Sequence, residues 1–330
     1  DYQQLLLALL PDLLVVVALF AALGVDYSRL RGSRLAKRYQ VACQISAAGL
    51  IAGLSVLVWQ LTRTMPVMES TAEGQLFLNT GTLTLKALLY AMGLGVLPLA
   101  KRDQITPQVS EYFALLLLAT LGMGFVVTSR NLLGAFVALE LVSLSLYTMT
   151  VLNQASRASA EAALKYLTFG AVSSGFLLFG LSYLYGATGQ LDLTQMQDLQ
   201  HSPILVLAYL LIFVGLGFKL ALAPFHLWAP DVYQNAPTPV AGWIGSGSKI
   251  AAAAMLIALL QPVSDASKLK EALIPALAAL AVLSMVVGNL GALRQTNLKR
   301  LLAYSAIANA GYLLVGVVAF SAAGNISVIF

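Results

Sequence analysis

Glu140, Lys165, Lys219 and Lys249 are ionisable side chains inside long apolar runs, where an ordinary domain would put none. A charge in hydrocarbon costs several kcal/mol, about 2.5–3.5 even on insertion scales, so each is by default a place where protons or ions move. Glu140, in Ala135-Phe136-Val137-Ala138-Leu139-Glu140-Leu141-Val142-Ser143, is mid-run and reads as the one carboxylate deep in any span. A static interhelical ion pair, or a neutral acid that locks packing, is its structural alternative. Lys165 follows Glu161 by four residues, the spacing of a helical ion pair, so this helix can enter the membrane neutral. Lys219 follows Gly215-Leu216-Gly217-Phe218 and precedes Pro224 and Pro230, which remove backbone donors and predict a helix interruption between Leu220 and Pro230. Broken backbone at membrane depth is tolerated where protein or a wet cavity surrounds it, which is where ion sites are built. Lys249 follows Gly245-Ser246-Gly247-Ser248, small and hydroxylated residues that suggest a hydrated pocket. Burial disfavours an ammonium, so a buried lysine can load and release a proton as an arginine cannot.

His226, seven residues beyond Lys219, is either a proton relay towards one membrane face or a cap for backbone groups freed by the prolines. Lys86 lies only a few residues inside its run, in Leu83-Thr84-Leu85-Lys86, and is expected to snorkel to the interface. With His201 in a loop and one cysteine, Cys43, neither a metal or haem site nor a disulfide is expected, and no phosphate loop, dinucleotide fingerprint or nucleophile elbow is present. Among the charges, Glu140 and Lys219 are expected to carry the chemistry. Lys165 would set the proton affinity of Lys219, and Lys249 would receive the proton.

These groups must be positioned by helices in lipid. Hydrophobic residues make up 59% of the 330 and charged residues only 10%, against about 25% charged in a soluble domain. A soluble enzyme and a nucleic-acid binder are thereby excluded, despite the net charge of +5. Apolar runs near the length that crosses a bilayer recur at about 5–25, 41–61, 82–100, 110–128, 131–151, 160–185, 204–222, 238–260, 272–293 and 301–320. Loops are short apart from 62–81 and 186–203. The chain opens on Asp1 rather than Met, and Leu5–Leu23 is too long for a cleavable leader, so it reads as a first span in a chain lacking its start.

Alternate loops differ in charge. One set (Arg29, Arg31, Arg34, Lys37, Arg38; Lys101, Arg102; Arg157; Arg294, Lys299, Arg300) holds eleven basic residues, and the other (Arg63; Arg130; Lys268, Lys270) holds four. The first set is expected in the cytoplasm, with the N-terminus on the outer side.

Longer motifs carry a resemblance. Glu161-Ala162-Ala163-Leu164-Lys165-Tyr166, Tyr185-Gly186-Ala187-Thr188-Gly189, the block from Gly215 through Pro224-Phe225-His226-Leu227-Trp228-Ala229-Pro230-Asp231-Val232-Tyr233 to Ala236-Pro237-Thr238-Pro239-Val240, and Lys299-Arg300-Leu301-Leu302-Ala303-Tyr304-Ser305 resemble the antiporter-like subunit N family of proton-pumping NADH:quinone oxidoreductase, respiratory complex I. The resemblance runs from about Glu111 onward and is most specific between Lys219 and Val240. It implies an all-α polytopic transmembrane bundle with inverted five-helix repeats. Residues 1–109 would be three N-terminal helices, 110–260 a complete five-helix repeat with its broken helix near Lys219, and 261–330 the first two helices of a second repeat. It also implies a proton path through Glu140, Lys165, Lys219 and Lys249. No cofactor is expected in this chain, with NADH, FMN, iron–sulfur clusters and quinone on partner subunits. The expected partners are other membrane subunits of complex I and the lipid bilayer of the cell inner (plasma) membrane, and no nucleic acid.

Three features depart from that family. Asn235 stands where Gly is usual, and Asn309 where a histidine is common. The chain ends after ten spans where the family has about fourteen. A multisubunit cation/proton antiporter is the alternative reading, and a scaffold without mobile protons is a third.

Overall fold

In the computed structural model, residues 2–62, 76–152, 156–196, 199, 201–263, 267–321, 324 and 328 are described. Twelve helices run α1 Tyr2–Val25, α2 Leu35–Thr62, α3 Thr80–Asp103, α4 Val109–Thr128, α5 Leu132–Val151, α6 Arg157–Thr188, α7 Pro203–Leu220, α8 Ala229–Asn235, α9 Thr238–Gly245, α10 Gly247–Leu260, α11 Ser267–Leu293 and α12 Leu298–Val318. Ten segments of the described chain are long and apolar enough to cross a membrane, α9 and α10 counting as one. They agree with the ten expected runs. Arg63 lies outside the described residues.

Helix α4 is the hub, with Tyr112, Phe113, Leu116, Leu117 and Met123 fully buried along it. Helices α1, α2, α3, α5 and α10 pack around it, and the pairs α6–α7 and α11–α12 complete the bundle. Small residues permit the tightest contacts. A methyl added at Gly215 of α7 would meet Leu177 Cβ of α6 at 2.5 Å, so the glycine lets the two backbones approach. In α1, Pro11 cannot donate to the Leu7 carbonyl one turn back. Gln60 of α2 donates to it from Nε2 at 2.7 Å.

The loops gather at two ends, as the charge alternation requires. At one end, antiparallel bridges join Leu76 to Ser129 and Asn131 to Asp192. At the other, Arg38 grips Asp26 through Nε and Nη2 at 2.7 and 2.5 Å and donates to the Pro107 carbonyl at 2.9 Å. There too, Ser159 donates to the Asn235 carbonyl at 2.7 Å.

Two membrane segments are interrupted. Helix α7 stops at Leu220 because Ala221 turns into the left-handed region (φ 60°), its N–H donating back to Gly217 and Phe218. The chain resumes as α8 with Pro230 in its first turn, where proline costs no hydrogen bond. This is the interruption that the prolines predict. The second was not foreseen: Ser246 (φ −114°, ψ −81°) separates α9 from α10 inside what reads in the sequence as one run.

Lys86 departs from expectation. It is 2% exposed and does not snorkel; its ammonium pairs with Asp12 Oδ2 of α1 at 2.6 Å. Glu140 is therefore not the one deep carboxylate, because Asp12, 3% exposed, lies inside the first span.

Candidate functional site

Lys219 occupies the last turn of α7, its side chain buried among α5, α6 and the turn at 221–228. Its ammonium donates to Ser143 Oγ and, at 3.1 Å, to Tyr147 Oη, both on α5. It also faces the rings of Tyr147 and Phe218, 5.4 and 5.5 Å from their centroids, an attraction that needs no counter-ion. The turn closes over it. Trp228 donates its indole N–H to the Phe218 carbonyl at 3.0 Å, and Ser284 of α11 accepts the Ala223 N–H at 2.9 Å, so the broken backbone is satisfied from within. Tyr166 stacks on Trp228 (4.4 Å, 8°) and meets Tyr147 edge-on at 4.4 Å.

Glu140, Ser143 and Tyr147 recur at i, i+3 and i+7, which sets them on one face of α5. The carboxylate is held by the Ser174 hydroxyl of α6 at 2.6 Å. Among the described residues, Glu140 and Lys219 form no ion pair. The expected paired charges are instead each held by a serine, Ser174 for the acid and Ser143 for the base. Neither group is bonded to an opposite charge.

Lys165 belongs to a different cluster. At the basic end of the bundle it bonds Glu161 Oε1 at 2.8 Å and Asp231 Oδ2 of α8 at 2.9 Å, while Arg300 of α12 takes the other Asp231 oxygen at 2.7 Å. The i,i+4 pair read from the sequence is present, but Asp231 makes it a bridge across three helices. Two carboxylates hold Lys165, and no contact joins it to Lys219.

Lys249 sits in the first turn of α10, just past the Ser246 interruption, and donates to the Ala306 carbonyl of α12 at 2.8 Å. The hydroxyls expected to line its pocket turn away, Ser246 bonding the Gly242 carbonyl and Ser248 the Ile244 carbonyl, each at 2.8 Å. Like Lys219, it is a lysine at a broken helix held by a neutral acceptor. His226 lies in the 221–228 turn, half-buried, and its own carbonyl receives the Ala229 N–H at 2.9 Å to begin α8. Asn309 is exposed on α12.

Several residues escaped sequence reading. Ser143 and Tyr147 carry no signal except their period from Glu140. Asp231 and Arg300 sit within the motifs that carry the resemblance, without an individual role. Asp12, beside Pro11 in the first run, was visible as a carboxylate in lipid. Tyr90 donates to its Oδ1 at 2.7 Å, so Lys86, Asp12 and Tyr90 close a buried triad across α1 and α3.

Comparison with known proteins identifies the family and the fold. The profile of the family described as "NADH:quinone oxidoreductase/Mrp antiporter, TM" matches residues 129–330, which include all four lysine and glutamate candidates and His226. NADH-quinone oxidoreductase subunit N 2 of Acidobacterium capsulatum is 45% identical over 97% of this chain and 67% of its own length. Among solved structures, a chain of respiratory complex I from Thermus thermophilus with bound aureothin superposes with a TM-score of 0.78 at 33% identity, covering 97% of this chain and 67% of that one. A chain of the Mrp complex from Dietzia sp. has the same TM-score at 20% identity, covering 98% of this chain and 61% of that one, and shares the fold. The chain spans between about half and two thirds of the length of the curated relatives it matches. By sequence and by fold, the chain belongs to the NADH:quinone oxidoreductase/Mrp antiporter family of membrane proteins.

Proposed function

We propose that this chain is the proton-translocating part of subunit N of an NADH:quinone oxidoreductase. One observation carries the reading: Lys219 and Lys249 are lysines inside the membrane, each beside a helix interruption and each held by neutral oxygen rather than a carboxylate. An amine so held exchanges its proton at low electrostatic cost. Glu140 supplies the nearby negative charge that favours the loaded Lys219, and Lys249 receives the proton. Lys165, fixed by Glu161 and Asp231, anchors α8 and so the lower edge of the 221–228 turn. His226 in that turn serves either as a relay or as a helix cap.

In this reading residues 110–260 form the complete repeat, 1–109 a three-helix extension and 261–330 the opening of a second repeat. The basic end faces the cytoplasm, with the N-terminus outside, in the inner (plasma) membrane. NADH, FMN, iron–sulfur clusters and quinone act on partner subunits, and quinone reduction there drives the proton movement here. Identity of 45% to a quinone oxidoreductase subunit, against 20% to the Mrp chain, favours this over a cation/proton antiporter.

The test places Glu140→Gln, Lys219→Ala and Lys249→Ala in the full chain within its native membrane complex, checks assembly, and measures protons translocated per quinone reduced. The reading expects normal assembly with a lowered ratio in all three. Parental ratios in all three would replace it with a scaffold role, and co-purification without flavin or iron–sulfur subunits would favour the antiporter.

A further inference from the structure

Between the two interruptions lies a tyrosine whose hydroxyl has nothing to bond. Tyr233 of α8 is 6% exposed, and its Oη is buried without a hydrogen-bond partner among the described residues. A buried O–H is almost always satisfied, by protein or by ordered water, so this one marks a place where a small polar ligand belongs.

Its position is specific. A methyl added at Gly245 would lie 3.2 Å from Tyr233 Oη, so the phenol touches the chain where α9 ends, one turn before Lys249. The indole N–H of Trp243 is also buried without a partner among the described residues, while the opposite edge of its ring faces Gly247 across the same interruption. On its other side, the Tyr233 ring lies 6.4 Å from that of Trp228, which closes the turn over Lys219. The Tyr233 phenol thus lies between the turn that closes over Lys219 and the interrupted backbone that precedes Lys249.

We infer that Tyr233 is a proton relay between Lys219 and Lys249, holding ordered water against the α9–α10 interruption. The transfer leaves every group neutral or singly charged. A proton released from the Lys219 ammonium reaches the phenol oxygen through water and forms a new O–H bond. The original O–H bond breaks towards the water on the far side, and that water's proton forms an N–H bond on the Lys249 amine. The phenol ends as it began, with one O–H.

This inference rests on the proton-translocation reading, and its test separates the two. Tyr233→Phe, Tyr112→Phe and Lys249→Ala are made in the full chain within the native complex. Tyr112, on α4, is an equally buried tyrosine with an unpartnered hydroxyl outside the path, and so serves as the control. Assembly, quinone reduction and protons translocated per quinone are measured together. The expected result is that Tyr233→Phe loses the same share of proton translocation as Lys249→Ala while quinone reduction stays parental, and that Tyr112→Phe loses none. A purely structural role for the hydroxyl would not separate those two activities. A parental ratio in Tyr233→Phe beside a lowered one in Lys249→Ala overturns the relay and leaves the wider reading intact, whereas a parental ratio in Lys249→Ala overturns both. Should Tyr233→Phe fail to assemble, Gly245→Ala crowds the same hydroxyl, and a parental ratio there overturns the relay.

Discussion

Lys86 and Lys219 look alike in the sequence, each a lone lysine in an apolar helix, and the fold treats them oppositely. Lys86 is locked: Asp12 faces its ammonium at 2.6 Å, Tyr90 holds the other carboxylate oxygen, and all three are buried. Lys219 meets two hydroxyls and two ring faces, and Glu140, on the same face of α5 as those hydroxyls, bonds elsewhere. In the first site a proton cannot leave without stranding a buried carboxylate. In the second it leaves behind an amine whose bonded partners are neutral. Burial alone therefore does not mark a proton site; the charge of the partner decides between a pin and a carrier.

Breaking the pin should have the largest effect. Asp12→Ala or Lys86→Met leaves an uncompensated buried charge, worth about 3–5 kcal/mol, and is expected to prevent accumulation of the assembled complex. The double variant Asp12→Asn/Lys86→Met removes both charges and should restore most of that accumulation, as read by the amount of complex in the membrane. By contrast, Lys219→Met should assemble, with a loss of roughly 1–1.5 kcal/mol in thermal unfolding, because Ser143 keeps its bond to the Leu139 carbonyl and no ion-pair partner is stranded.

Crowding the carrier site comes next. A methyl on Gly170 would overlap Tyr147 Oη, so Gly170→Ala must push that ring off Lys219, at an overpacking cost of about 1–3 kcal/mol. Proton translocation per quinone should fall more than assembly does. If the ratio holds, Tyr147 is not a working partner of Lys219. The smallest effect belongs to Lys165. Its bridge to Glu161 and Asp231 is two-fifths exposed, so Lys165→Gln should cost little stability and act chiefly through the position of α8.

Much of this was legible beforehand, for physical reasons. Apolar runs of bilayer length leave little choice of fold, and Pro224 and Pro230 removed the donors that a continuous helix needs. The Ser246 interruption has no proline within it and stayed hidden in a run of bilayer length, where Gly245-Ser246-Gly247-Ser248 read as a pocket lining rather than as a break. Lys86 was misread because its distance from the helix end favours snorkelling, while its partner lies 74 positions earlier on another helix. Asp12 was visible as a residue, but pairing across helices is set by packing, which a single chain's periodicity does not encode. The same holds for Asp231, whose two cations arrive from α6 and α12.

The contrast between pin and carrier is tested most directly by measuring protons translocated per quinone reduced in Lys219→Met and in Asp12→Asn/Lys86→Met, side by side in the assembled complex. The account predicts a lowered ratio in the first and a parental ratio in the second. A parental ratio in Lys219→Met, or a lowered one in the double variant, would contradict it.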